Sequence, residues 1–126
     1  VLRSLRDKKL RVGMATSSVG TLARPFLERH QLSQYFDIVV SGEEVEHGKP
    51  HPDIYLRAAQ KLGVAPKNCL VIEDALSGVQ AAKSAGMRVA AIPDTRYVNI
   101  ADYEAKADYV LGSLGEVPAL VQRLAA

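Results

Sequence analysis

Residues Cys69–Met87 read CLVIEDALSGVQAAKSAGM. The run Leu70-Val71-Ile72 is apolar throughout instead of at every second place, as in a strand covered on both faces. Glu73 and Asp74 close it. Beyond them Val79, Ala82 and Ala85 recur at helical spacing until Gly86 interrupts. The same alternation extends in both directions. Val12–Thr16 and Ile38–Val40 upstream, and Val89–Ile92 and Tyr109–Leu111 downstream, are further short apolar runs. Ile54, Ala58, Ala59 and Leu62 form a helical stripe with Pro52 in its first turn and Gly63 at its end. Leu114, Val117, Leu120, Val121 and Leu124 form a last one. Leu22, Phe26 and Leu27 predict a helix after the first strand, in which Pro25 has to sit in the first turn or kink the axis. Strand and helix in alternation predict an α/β fold: a parallel sheet between helices, joined by right-handed crossovers, in a three-layer Rossmann-like α/β/α arrangement.

Composition narrows the class. The chain has 126 residues, 48% hydrophobic and 24% charged, which is one ordinary globular domain. No apolar run reaches the ~18–20 residues of a membrane span, and no charged-then-apolar leader opens the sequence. Cys69 is the only cysteine, which excludes an internal disulfide and a cysteine-rich zinc site. A reducing, cytoplasmic setting is expected. The net charge of +2 comes from Val1–Arg11, where Arg3, Arg6, Lys8, Lys9 and Arg11 face Asp7 alone. With no Trp and no broad basic stripe beyond that segment, nucleic acid is not an expected partner.

In an open parallel sheet, ligands sit beyond the carboxyl ends of the strands. Thr16-Ser17-Ser18 follows the first strand, and its hydroxyls serve either a plain helix cap or an anion site. After the second strand comes SGEEVEHGKPHPD, Ser41 to Asp53. There Lys49, between Gly48 and Pro50, is either a solvated lysine or a fixed positive charge for a phosphate oxygen. His47 and His51 read as exposed loop residues, and Asp94 as a turn residue. For Asp74 alone, capping the helix that runs from Ser77 is a sufficient role. It explains less well two adjacent carboxylates, which are costly to bury without a compensating cation. A hard divalent ion such as Mg²⁺ takes such oxygen ligands together with a phosphate. No G-x-G-x-x-G follows any strand, which argues against a dinucleotide site.

Thr16 after an apolar strand, Lys49 in GKPHPD and Glu73-Asp74 in VIEDALSG resemble motifs two, three and four of the haloacid dehalogenase-like superfamily. The stretch Ile72–Met87 is most similar to the branch with β-phosphoglucomutases and sugar-phosphate or phosphoglycolate phosphatases. The likeness runs from about Lys9 to Leu111. It implies that Thr16 and the Ser17 N–H hold the transferring phosphoryl group of a small phosphorylated metabolite. It implies that Lys49 neutralises that group and the nucleophile. Asp74 would bind Mg²⁺ directly, with Glu73 reaching the ion through water or orienting the site. These roles suit phosphoryl transfer, where positioning and charge neutralisation dominate.

The sequence also departs from the pattern. Such enzymes begin with a strand ending D-x-D, whose first Asp attacks phosphorus, and no D-x-D occurs here. The helical cap that selects substrate is absent as well. Residues 1–9 are expected to be the end of a cap-to-core connection, and residues 10–126 a partial core without its central nucleophile strand. That strand normally lies between those carrying Thr16 and Glu73-Asp74. The expectation is a phosphatase or phosphomutase as the parent protein, with this chain inactive alone and prone to self-association along exposed strands. The alternative is a non-catalytic remnant that binds phosphate or a partner subunit.

Overall fold

The computed structural model describes residues 1–17 and 20–125; Ser18 and the Leu22 side chain lie outside it. Among the described residues, five short parallel strands alternate with helices. These are α1 (Leu2–Asp7), β1 (Gly13–Thr16), α2 (Gly20–Arg29), β2 (Ile38–Ser41), α3 (Asp53–Leu62) and β3 (Leu70–Glu73). They continue as α4 (Leu76–Ser84), β4 (Arg88–Ala91), α5 (Ile100–Glu104), β5 (Tyr109–Val110) and α6 (Val117–Ala125).

The chemistry of helix ends is visible at α3 and α4. Pro52 caps α3, Asp53 puts an acid in its first turn, and Gly63 takes the left-handed conformation that ends it. There the Val64 N–H returns to the Ala59 carbonyl and the Gly63 N–H to that of Gln60. Gly86, also at positive φ, ends α4 in the same way, with Met87 N–H bonded to Ala82. Pro25 sits inside α2, beyond the first turn, the interior one of its two expected places. Leu114 falls in a 3₁₀ turn ahead of α6, and its side chain is exposed.

Layering is plainest at β2, whose neighbouring valines point opposite ways. Val39 packs with Ala23 and Leu27 of α2, and Val40 joins the main core with Ile54, Ala58 and Ala59 of α3. That core continues through Val71, Val79, Ala82, Val89 and Ala91. Helices therefore flank the strands in the three-layer α/β/α order expected.

The strands do not form one sheet. β1 pairs with β2, Gly13 opposite Ile38 and Thr16 opposite Ser41. β3 pairs with β4, Leu70 opposite Arg88, and β4 with β5. Among the described residues no strand joins β1 to β3. Between them lies a cleft of about 1080 Å³, lined by Gly13 and Ala15 on one side and Leu70–Glu73 on the other. Hence β1 and β3 are only partly covered, whereas β2 and β4 are mostly buried. The sequence reading, which gave every strand two covered faces, fails at these two for this reason, and also at the outer strand β5, whose residues are half-buried. No helix among the described residues is long and apolar enough to cross a membrane.

Candidate active site

The loop between β2 and α3 is held at both ends before it presents any chemistry. Ser41, 5% exposed, opens a capping box in which Glu44 accepts the Ser41 N–H at 2.8 Å. The other oxygen of Glu44 pairs with Lys61 at 2.7 Å, tying the loop to the last turn of α3. Further along, the His47 N–H donates to the Asp53 carboxylate at 3.2 Å, on the first turn of α3. The His51 N–H then returns to the Gly48 carbonyl at 3.0 Å, and Lys49 lies within that turn.

Lys49 reaches across to the end of β3. Its Nζ stands 2.9 Å from Glu73 Oε2, with the two side chains 15% and 9% exposed. Tyr55 Oη donates to the same oxygen at 2.5 Å, and Nζ lies 5.1 Å from the Tyr55 ring centroid, within cation–π range. Glu73 Oε1 accepts the N–H groups of Asp74 at 3.1 Å and Ala75 at 3.3 Å. Burial opposes the charge on Glu73, but the Lys49 ammonium, the phenol and the backbone N–H outweigh it and hold the carboxyl below its ordinary value. Burial, then the Glu73 and Asp74 carboxylates, push the Tyr55 phenol far upward, so it remains a donor.

Asp74 is exposed and lines the same cleft. It does not cap α4: the helix starts at Leu76 behind Ala75, with no side-chain capping bond. Its carboxylate takes no hydrogen bond or ion pair from the described residues, while its carbonyl accepts Tyr103 Oη at 2.9 Å. Thr16 ends β1 on the opposite side of the cleft, paired with Ser41. Ser17 follows it, exposed, its carbonyl so close to Gly42 that an added β-carbon there would lie at 3.1 Å. The geometry thus joins Lys49 to Glu73, sets Asp74 beside them, and puts Thr16 and Ser17 on the facing strand group. His47 and His51 are exposed, as expected, and Asp94 accepts turn bonds from Tyr97 and Val98.

Two residues of this site, Tyr55 and Tyr103, escaped the sequence reading, and Gly78 entered it only as part of VIEDALSG, with no role of its own. Tyr55 belongs to the buried stripe of α3 and reads as core. Gly78 is buried in the first turn of α4. Tyr103, 3% exposed, lies on α5, a helix too short to register as a pattern. The only available signal was the glycine four places after Asp74, in a helix that would otherwise favour alanine.

Whether these residues suit a divalent cation follows from their donors. Glu73 spends both oxygens on four donors. Asp74 offers a carboxylate with none among the described residues, at the lip of a cleft, which fits a hard cation completed by phosphate and further oxygens. No group of three His, Cys, Asp or Glu among the described residues is close enough to hold a metal ion.

Known proteins share this framework. The family model described as haloacid dehalogenase-like hydrolase matches residues 1–86. A phosphorylated carbohydrates phosphatase of Thermotoga maritima is 43% identical over 86 residues, 68% of this chain and 40% of its own length. The phosphoglycolate phosphatase of Escherichia coli is 38% identical over 85 residues, 68% of this chain and 34% of its own. A solved β-phosphoglucomutase of Clostridium difficile superposes with a TM-score of 0.77 at 30% identity, over 89% of this chain and 47% of that one. The chain therefore spans less than half the length of each of these three proteins. On this match of sequence and architecture, the chain belongs to the haloacid dehalogenase-like hydrolases, in the branch of phosphoglucomutases and phosphoglycolate phosphatases.

Proposed function

We propose that this chain is the phosphate-binding half of a phosphoryl-transfer enzyme acting on a small phosphorylated metabolite, such as a sugar phosphate. The observation that carries the reading is the Lys49 ammonium, fixed on Glu73 beside the uncommitted Asp74 carboxylate at the mouth of an open strand slot. Lys49 has one N–H on Glu73, so its remaining donors can meet phosphoryl oxygens as a point charge. Thr16 and the Ser17 N–H would hold the same group from the facing strand. Asp74 would hold a magnesium ion, which when bound offsets the negative charge of phosphate. Glu73 orients Lys49 in this scheme and is not a metal ligand, because its oxygens are already taken.

In the whole protein, a strand ending in an aspartate would fill the cleft between β1 and β3 and bring the nucleophile between Thr16 and Asp74. Residues 1–9, mostly α1, would be the end of the connection from cap to core. The soluble, cytoplasmic character read from the sequence belongs to the same proposal. The test is kinetic. In the whole protein, Lys49→Ala and Asp74→Ala should each lower kcat on a sugar phosphate by roughly 10²-fold or more. Near-normal turnover in either variant removes that residue from the scheme.

A further inference from the structure

Lys49 and Glu73 are described above as a pair, but the pair has a third member that touches both. Tyr55 projects from α3 and is 6% exposed. Its hydroxyl donates to Glu73 Oε2, the oxygen that also receives Lys49. Its ring lies 5.1 Å from the Lys49 Nζ. One phenol therefore fixes the carboxylate from one side and the ammonium from another. An ammonium has three donors in rotation, and a carboxylate with a single charged partner can turn to take two of them. Here the Tyr55 hydroxyl shares Oε2 with Lys49 while the Asp74 and Ala75 N–H groups hold Oε1, so the carboxylate is bonded on both oxygens and meets the ammonium with one. The ring supplies a flat, electron-rich surface that keeps the long lysine stem from swinging away. The strong upward push on the phenol agrees with it remaining protonated throughout the neutral range.

We propose that Tyr55 is a positioning residue for Lys49: its hydroxyl and ring together hold the Glu73–Lys49 pair so that the ammonium keeps unspent donors turned to the cleft. The consequence for phosphate rests on the function proposed above; the positioning itself does not.

The experiment is nuclear magnetic resonance of the lysine ammonium groups in this 126-residue chain. In the unaltered protein, the Lys49 ζ protons should be displaced upfield by the ring and should exchange slowly with water. Tyr55→Phe should keep the ring displacement and speed the exchange several-fold. Tyr55→Leu should lose both signatures. Unchanged exchange in Tyr55→Phe overturns the proposal. Should that variant fail to fold, the Tyr55 hydroxyl proton of the unaltered chain decides. A slowly exchanging, far-downfield resonance supports the proposal, and its absence overturns it. Adding inorganic phosphate separates the two readings. If phosphate leaves the Lys49 resonance unmoved while Tyr55→Phe alters its exchange, the phosphoryl reading of Lys49 fails and the positioning role stands.

Discussion

Gly78 and Glu73 compete for one volume: a β-carbon on Gly78 would overlap the carboxylate of Glu73. The glycine sits in the first turn of α4, and the acid ends the strand before it. The close approach of helix to strand is thus what gives the Glu73 side chain its place beside Lys49. Gly78→Ala should displace that side chain and cost about 1–3 kcal/mol by overpacking, although alanine is the better helix former. Urea unfolding measures the cost. A variant as stable as its parent, with the Lys49 ammonium signal unmoved, removes this role for Gly78.

Lys49→Met should leave Glu73 with a phenol and two backbone donors but no cation. An uncompensated, largely buried charge costs roughly 3 kcal/mol, taken at the low end because the cleft admits water. Adding Glu73→Gln to Lys49→Met should recover part of that loss, since an amide has no charge to compensate. Losses that simply add in the double variant would show that the two side chains do not interact.

Stability should fall in acid and be level near neutrality. Glu73 holds its proton less tightly in the folded chain, where Lys49 and Tyr55 overcome burial. Asp37 does so too, through Arg6 first and the Val12 N–H second. A carboxyl whose folded value is lowered contributes fully above its unfolded value, about 4, and loses that contribution as pH drops through the folded one. Denaturation midpoints measured across the acid range should therefore decline as pH is lowered. A midpoint that rises on acidification contradicts this account of both groups.

The purified 126-residue chain should hydrolyse no phosphate ester above background, because its sequence holds no D-x-D and its site has no group of three metal-binding side chains among the described residues. An assay with p-nitrophenyl phosphate and magnesium is sufficient. Turnover abolished by Asp74→Ala would mean that another group serves as nucleophile.

Association should rise with concentration. Among the described residues β1 and β3 each present an unpaired edge to the cleft, and open edges recruit further strands. Sedimentation velocity over a wide concentration range provides the check; a monomer at every concentration would show that the cleft closes by other means.

The fold was legible wherever local chemistry decided it. Ile54, Ala58, Ala59 and Leu62 with Gly63 behind them marked α3 because spacing and a left-handed stop are properties of a short segment. The apolar runs ending in Thr16 and Glu73 marked strands for the same reason. Their burial was misjudged because it depends on a neighbour in space: β1 and β3 border the cleft and stay partly open. For Pro25 the sequence left two places open, and the interior one is realised where Ala23 and Leu27 pack the helix on Val39 and offset a missing N–H. In the candidate site, Lys49 was visible by its place between Gly48 and Pro50, and Glu73 and Asp74 as adjacent carboxylates closing an apolar run, although of these two only Glu73 is withdrawn from solvent. Tyr55 and Tyr103 were not, since an aromatic on a buried face carries the same sequence signature whether or not its hydroxyl has work to do.

Helix α3 packs against β1 and β2 and also meets α4, so it is a link between the two separated groups of strands. It is entered a few residues after Lys49 and carries Tyr55 on its buried face. That makes the helix a caliper: its rigid length converts the spacing of the strand groups into the height of an ammonium above the lip. Wedging those groups apart, or drawing them together, would therefore retune the charge without touching it.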